Sequence, residues 1–266
     1  MHATSLCPRP ALHRAALPTR PTLSVLLLLV CASGSVAAAD DVPASAWSVG
    51  LGVGAFSSPF KGAKTEVIPL PYLAYERDGL SVGLYDVDWR LARLGPVALS
   101  AVVVPRFQIT EPRDSAFLDG MDSRQSTLEA GLRLALESDL GSLQLEARKD
   151  VLNKHQGSQI YAGYVLEFQA GPGTILPGIG VTWQSSKLAD YYYGVRAAEA
   201  TPQRPAYTVG NVFIPGASLE FRYMLGSNTM LMARFSMEVL PQDVGDSPIV
   251  DERRISQGIA GLIYRF

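Results

Sequence analysis

The last twelve residues of the chain constrain its fold more than any other stretch. From residue 255 to the final residue, a set of apolar side chains alternates with a set that mixes polar, small and apolar side chains. One face carries Ala260, Leu262, Tyr264 and Phe266, and the other carries Gln257, Gly261 and Arg265 together with Ile259 and Ile263. A period of two residues indicates an extended strand whose two faces meet different surroundings. Chain ends usually fray, so an ordered strand that finishes on an aromatic residue is a strong local signal.

A strand of this kind is typical of the end of bacterial outer-membrane barrels. Their assembly machinery reads the last strand and its terminal Phe. The sequence therefore predicts an assembly signal made by Leu262, Tyr264 and Phe266, with the barrel-assembly machinery and outer-membrane lipid as partners. The alternative on these residues alone is an edge strand of a soluble sheet.

The N-terminal residues predict a secretory signal peptide. Arg9, Arg14 and Arg20 precede an apolar run over 23–32, and small residues ending at Ala39 follow. A basic region, a short apolar core and an Ala-x-Ala site are the three parts of such a peptide. We expect cleavage after Ala39, which divides the chain into a signal peptide (1–39) and a barrel domain (40–266). A membrane anchor is the alternative, but the run is short for a bilayer crossing.

The composition of the exported part excludes several functions. Removing residues 1–39 removes three of the 23 basic residues and none of the 25 acidic residues, which leaves a net charge of −5. That balance gives no reason to expect a nucleic-acid partner. Both cysteines are also removed, so disulfides and thiolate metal sites are not expected. The exported part has no run of about 18 apolar residues, so we expect no transmembrane helix.

Alternating runs of about 10 to 13 residues fill most of the remaining chain. That length suits a tilted strand crossing a bilayer. Turns of about three residues alternate with longer loops, as in outer-membrane barrels, where short turns face the periplasm and long loops face outward. The predicted fold is an all-β transmembrane antiparallel barrel in the Gram-negative outer membrane. A soluble β-sandwich is the alternative, because it also alternates apolar and polar faces.

Strand parity predicts twelve strands. Eleven runs are visible if residues 80–91 form one strand, but a single-chain barrel with both ends in the periplasm needs an even number. The apolar phase flips inside 80–91, near Tyr85 and Asp86, as a bulge or a reversal would make it. We therefore expect two short strands there. Pro69 and Pro71 predict an irregular strand or a strand end, and residues 186–211 are expected to be an irregular loop.

The polar faces predict a charged lumen. Acidic and basic residues there are nearly balanced, so they are expected to pair across strands and to fill much of the interior. A narrow selective channel is the alternative. The charges expected in the lumen are Arg106, Glu129, Arg133, Glu146, Arg148, Glu167, Glu220, Arg222, Arg234 and Glu238.

Catalytic and metal-binding residues are scarce. His155 is the one histidine outside the signal peptide, and it sits in a polar loop where a surface position is expected. No serine nucleophile motif accompanies it, and carboxylates show no metal-ligand spacing. We therefore expect no enzyme activity, no cofactor and no metal. Tyr191, Tyr192 and Tyr193 are a candidate interaction patch, or they brace a long loop.

Several segments, taken in order, resemble the MipA/OmpV family of outer-membrane proteins. They are 120–131, Asp150 with His155-Gln156-Gly157, 190–195, 247–250 and 261–266. The front third of the exported chain matches less distinctly.

The resemblance implies an integral outer-membrane barrel without catalytic residues. It also implies a scaffold that links a lytic murein transglycosylase to a peptidoglycan synthase. A small-solute channel, or a role in adhesion or stress responses, is the alternative.

Overall fold

The computed structural model describes residues 46–107 and 115–266, and strands dominate it. The signal peptide predicted for 1–39 lies outside these residues and stays a prediction. The strands are β1 Ala46–Phe56, β2 Glu66–Arg77, β3 Leu80–Gly83, β4 Val87–Leu94, β5 Val97–Arg106, β6 Thr127–Ser138, β7 Gly141–Asp150, β8 Ser158–Leu166, β9 Phe168–Ala170, β10 Gly173–Gln184, β11 Val212–Met224, β12 Thr229–Val239 and β13 Arg254–Arg265. The helices are α1 Ser186–Tyr193 and α2 Gln242–Gly245, and short 3-10 turns cover Ala116–Leu118 and Ala197–Glu199.

The sheet closes on itself as an antiparallel barrel. Strands that follow one another in the chain pair side by side, and β13 pairs with β1, with Gly261 opposite Gly52. β8 and β9 both pair with β10 in one continuous register, so they form a single strand interrupted at Glu167. The barrel therefore has twelve strands, as strand parity predicted. No helix in the described ranges has the length and apolar character needed to cross a bilayer.

The expected reversal inside residues 80–91 is confirmed. β3 and β4 form a short hairpin in which the Gly83 N–H donates to the Asp86 carbonyl at 2.8 Å. β3 contacts only the last four residues of β2, from Ala74 to Arg77. Among the described residues, no strand pairs with the same edge of β2 between 66 and 73.

Pro69 and Pro71 lie on that edge, inside a regular strand. The carbonyls of Pro71 and Leu73 accept bonds from the Tyr85 hydroxyl (2.7 Å) and the Leu84 N–H (3.1 Å), so alternate residues of β2 direct their backbone groups toward the hairpin. Proline has no backbone N–H. At positions 69 and 71 there is therefore no N–H donor on the part of the edge that the short hairpin does not reach. The expectation of an irregular strand is therefore wrong: β2 pairs with β1 from Glu66 to Glu76.

The two faces of the wall differ as the alternation predicted. Large apolar side chains point outward and are exposed along the whole circumference, as an apolar band in lipid requires; examples are Leu51, Leu132, Ile179, Phe213 and Leu262. Glycine, serine and charged residues face the lumen. On β1 the inward face carries Ser48, Gly50, Gly52 and Gly54.

The two ends of the barrel are different. We call the end with the tight turns at 78–79, 95–96, 139–140, 171–172 and 225–228 the turn end, and the opposite end the loop end. The start of β1 and the end of β13 lie at the turn end, because the Phe266 N–H donates to the Trp47 carbonyl at 2.9 Å.

Four segments at the loop end fold together into a structure that we call the lid (residues 57–65, 115–126, 185–211 and 240–253). Its apolar core includes Phe60, Leu118, Leu188, Val244 and Ile249, all almost fully buried.

The segment 186–211, expected to be irregular, begins with α1. That helix was missed because two turns with one buried face give too short a pattern to show a helical period.

The glycines of β1 make the closing seam possible. A Cβ on Gly52 would lie 2.5 Å from the carbonyl oxygen of Ala260 and 3.1 Å from Cα of Gly261, both backbone atoms of β13. We therefore expect Gly52→Val to destabilise the barrel by about 1–3 kcal/mol, the usual cost of overpacking. Heat-modifiable gel mobility and urea unfolding measure this loss. Gly258→Val is the matched control, because a Cβ there meets no atom within 4 Å; equal losses in both variants would contradict the seam argument.

Candidate functional site: the lumen beneath the lid

A chain of buried polar and charged residues lines one side of the lumen from β4 to β8. We call it the lumen network, and it consists of Asp88, Arg106, Glu129, Arg133, Glu146, Arg148 and Gln159. At its centre Arg106 makes a two-pronged contact with the carboxylate of Glu129, at 2.8 and 3.1 Å. The same guanidinium donates to the side-chain oxygen of Gln159 at 2.6 Å. Planar, paired contacts of this kind are the strongest that arginine makes.

The network continues toward the turn end through two more arginines. Arg148 lies 3.5 Å from Glu129 and 2.7 Å from Glu146. Arg133 lies 2.6 Å from both Glu146 and Asp88. Each arginine thus lies between two carboxylates, which compensates the cost of removing these charges from water.

His155 is buried against this network and is not on the surface as expected. The carboxylate of Asp150 accepts bonds from the N–H groups of Leu152, His155 and Gln156 at 2.8–2.9 Å, which folds the 151–157 loop tightly. Asn153 and Gln156 adopt positive φ values of 55° to make this turn. The histidine side chain is directed inward as a result, and the residue is only 4% exposed.

Both ring nitrogens of His155 lie close to a polar group of the protein. Nδ1 accepts the Gly157 N–H at 3.0 Å, so the ring proton lies on Nε2, which is 3.2 Å from Oε1 of Glu129. The imidazole therefore joins a loop to the lumen network. This geometry does not offer a free nitrogen for proton abstraction.

The tyrosines at 191–193 lie in the lid rather than on its outer surface. Tyr192 and Tyr193 are buried, and burial raises the pKa of both phenols above the ordinary value. The Tyr192 ring lies 5.9 Å from Cζ of Arg106, so it covers the lumen network from above. Tyr191 is only partly buried; its hydroxyl accepts the Gln125 N–H at 2.8 Å, and its ring contacts two arginines of the lid.

A second buried ion pair holds the lid segments to one another. Arg124 contacts both carboxylate oxygens of Glu199, at 2.7 and 2.9 Å, and that carboxylate also accepts the N–H groups of Asp122 and Arg196. Burial alone would raise the pKa of Glu199, but the Arg124 hydrogen bond and these backbone donors lower it to about 2. The pair links two segments that lie about 75 positions apart in the sequence.

The remaining lumen charges lie elsewhere on the inner wall. Glu220 is paired with Arg222 at 2.5 Å and lies 3.5 Å from Arg234. Glu167 lies on the inner face by register, but it is exposed at the turn end. Glu238 lines a separate cavity.

Sequence reasoning missed several residues of the site. Gln159 lies on the polar face of its strand, so the alternation carried the signal for it. Asp88 follows the phase break of the β3–β4 hairpin, and no local pattern assigns it to the lumen. Arg124 and Glu199 lie in loops, where no periodicity indicates which residues meet. Their pairing depends on the tertiary fold alone.

The lumen is therefore narrowed on one side and covered at the loop end. The charged network ties β4, β5, β6, β7 and β8 together inside the barrel, and the apolar lid covers the loop end above it. An arrangement of this kind rigidifies the barrel, and it does not resemble an open water-filled pore.

Comparison with known proteins gives a consistent result. The family described as "MltA-interacting protein MipA" matches residues 49–266. The chain is 29% identical over 254 residues to the MltA-interacting protein of Escherichia coli K12, covering 93% of this chain and all of the relative. It is 28% identical over 227 residues to the putative outer membrane protein YiaT of the same organism, covering 84% of this chain and 92% of the relative.

Two further comparisons involve a named outer-membrane relative and a solved structure. Outer membrane protein OmpV of Vibrio cholerae is 27% identical over 203 residues, covering 75% of this chain and 79% of the relative. Among solved structures, the Pseudomonas putida toluene transporter TodX covers 85% of this chain and 90% of its own at 9% identity and a TM-score of 0.39. A score that low supports no functional inference. The relatives' names and the barrel together place the chain in the outer membrane. In outer-membrane barrels the short turns generally face the periplasm.

We predict that removing a carboxylate from the buried lumen network lowers the unfolding free energy much more than removing one from an exposed ion pair. Glu129→Gln would leave Arg106 with a buried charge and no anionic partner, which we expect to cost about 3–5 kcal/mol of unfolding free energy. Glu137→Gln is the control, because Glu137 forms a partly exposed pair with Arg93 at 2.8 Å, and such pairs contribute about 0–1 kcal/mol. Urea unfolding of both variants in lipid vesicles measures the difference. A loss of less than 1 kcal/mol for Glu129→Gln would contradict the role given to this network.

The lid pair predicts a specific pH dependence. Because the pKa of Glu199 is lowered from 4.5 to about 2 on folding, its stabilisation is complete above pH 4.5 and is lost as the pH falls toward 2. Pepsin cleaves at these pH values, so limited proteolysis can report opening of the lid. We expect Glu199→Gln to be cleaved faster than the parent chain at pH 4.5, with the ratio of rates approaching one at pH 2. Glu252→Gln, an exposed lid carboxylate, should match the parent throughout. A ratio that stays constant with pH would contradict the assignment.

Proposed function

Because the chain belongs to the MipA family, we propose that it is a non-conducting outer-membrane barrel that anchors a murein lytic transglycosylase at the periplasmic face. The obstructed lumen is the observation that carries this proposal. A barrel closed by a buried ion-pair network and an apolar lid suits a rigid support better than a passage for solutes. The relative named MltA-interacting protein, which matches along its whole length, supports the identity of the partner class.

The partner surface follows from the location of the partner. Peptidoglycan and its enzymes lie in the periplasm, so the anchor must present its turn end to them. Three leucines in or next to its turns are mostly exposed: Leu94 is 78% exposed, Leu140 71% and Leu225 57%. We infer that these leucines contribute apolar contacts to the docking surface, since exposed apolar groups are typical of interaction sites.

Non-enzymatic action is part of the same proposal. His155 was the best candidate for a general base, and its two nitrogens contact Gly157 and Glu129 instead of a serine hydroxyl. An engaged, buried imidazole supports a structural role. A link through this partner to a peptidoglycan synthase belongs to the same proposal.

Binding to a lytic transglycosylase tests the anchor directly. Leu94→Asp/Leu140→Asp/Leu225→Asp should weaken capture of the purified enzyme by reconstituted barrel about tenfold or more, because each change adds a charge to an apolar contact. Leu152→Asp changes a similarly exposed leucine at the loop end and should leave capture unchanged. Full capture by the triple variant would reject the proposed surface, and no capture by the parent chain would reject the partner class.

Conductance tests the closed lumen independently. We expect the parent barrel to be silent in planar bilayers. Regular single-channel steps from the parent chain would favour the small-solute channel instead.

A further inference from the structure

The lumen wall formed by β8, β10, β11 and β12 is lined with small residues in matching register. Gly180 of β10 lies opposite Gly163 on one neighbour and Gly216 on the other. In the adjacent row, Gly178 lies opposite Ser218, which in turn lies opposite Ser236. Each row therefore contains three small residues, and the two rows lie on the side of the lumen away from the lumen network.

A mainly polar cavity of about 40 Å³ lies beside these rows. It has room for about three water molecules. The Tyr161 side chain covers two of the glycines: a Cβ on Gly180 would come within 2.7–2.8 Å of its ring and hydroxyl, and a Cβ on Gly163 would also overlap its hydroxyl. The glycines thus let an aromatic face line the cavity. Its other polar residues are Thr182, Ser218, Arg234, Ser236 and Glu238.

Glu238 differs from the other lumen carboxylates. Glu129, Glu146 and Glu220 each lie within 3.5 Å of an arginine. Glu238 makes no hydrogen bond or ion pair with any residue of 46–107 or 115–266. It ends one of the two rows, opposite Gly216, and its side chain is partly accessible from the cavity.

The charged form of a lumen carboxylate without a partner is costly, and either a proton or a cation that reaches it removes that cost. An ammonium group supplies three donors and a positive charge, and the Tyr161 ring offers a favourable face for it. The hydroxyls of Thr182, Ser218 and Ser236 can form hydrogen bonds with a hydroxyl group on the molecule that carries the ammonium group. All three lie on the inner faces of β10, β11 and β12, the strands that carry the cavity.

We propose that this cavity binds a small hydroxylated primary amine, with its ammonium group on Glu238 and its hydroxyl among the serine and threonine side chains. This site does not depend on the anchor function, because it lies inside the barrel and uses none of the turn-end residues.

Ethanolamine and ethylene glycol are matched probes, since they differ by one ammonium group. Isothermal titration of the folded barrel in detergent should show saturable binding of ethanolamine and none of ethylene glycol. Glu238→Gln should weaken the binding about tenfold or more. Glu167→Gln is the control, because Glu167 shares the inner face but lies exposed at the turn end; it should bind as the parent does. Heat-modifiable mobility confirms that each variant is folded.

A second variant keeps the test decisive if Glu238→Gln alters the fold. Ser236→Val fills the cavity with two methyl groups while leaving Glu238 in place, and it should also abolish binding. The proposal is overturned if ethanolamine does not saturate the parent barrel, if ethylene glycol binds equally well, or if Glu238→Gln binds ethanolamine as tightly as the parent. The first result would mean that the cavity holds only water, and the second that it accepts small hydroxylated molecules whether or not they carry an ammonium group.

Discussion

Every backbone N–H and C=O group inside the bilayer must find its hydrogen-bond partner within the protein. Closure of β13 onto β1 satisfies this requirement along most of the wall. The exception is the edge of β2 that the short β3–β4 hairpin does not cover. There the chain places Pro69 and Pro71, which have no donor to satisfy, and Tyr85 supplies a hydroxyl to the Pro71 carbonyl. Two residues that look unfavourable in a strand are thus suited to this one edge.

The same requirement applies to the lumen, where water is limited and charges are many. Pairing Arg106 with Glu129, and Arg133 with Glu146 and Asp88, satisfies the buried charges and joins neighbouring strands. The lid then excludes water above the network, with Tyr192 directly over Arg106. Lid and network depend on each other: the lid lowers the polarity around the ion pairs, and His155 attaches a loop-end segment to Glu129.

The sequence was most informative where a period of two residues repeats. It predicted the barrel, the twelve strands and the inward face of most charges, because each strand must separate lipid from lumen along its whole length. It was least informative in the loops. The burial of His155 depends on three backbone bonds to Asp150, and the Arg124–Glu199 pair joins distant segments. Such contacts arise from the tertiary fold and leave no periodic pattern.

The cavity beside Glu238 shows how register can create a site that composition conceals. Each glycine or serine on β10, β11 and β12 is ordinary by itself, and Glu238 was expected to be one more paired lumen charge. Only the pairing of Gly180 with Gly216, and of Gly216 with Glu238, brings the small residues and the carboxylate together. In a barrel the sequence determines which face a residue occupies, whereas the shear between strands determines its neighbours. Because a shift of one residue would move every side chain to the opposite face, the cavity is as strongly specified as the barrel itself.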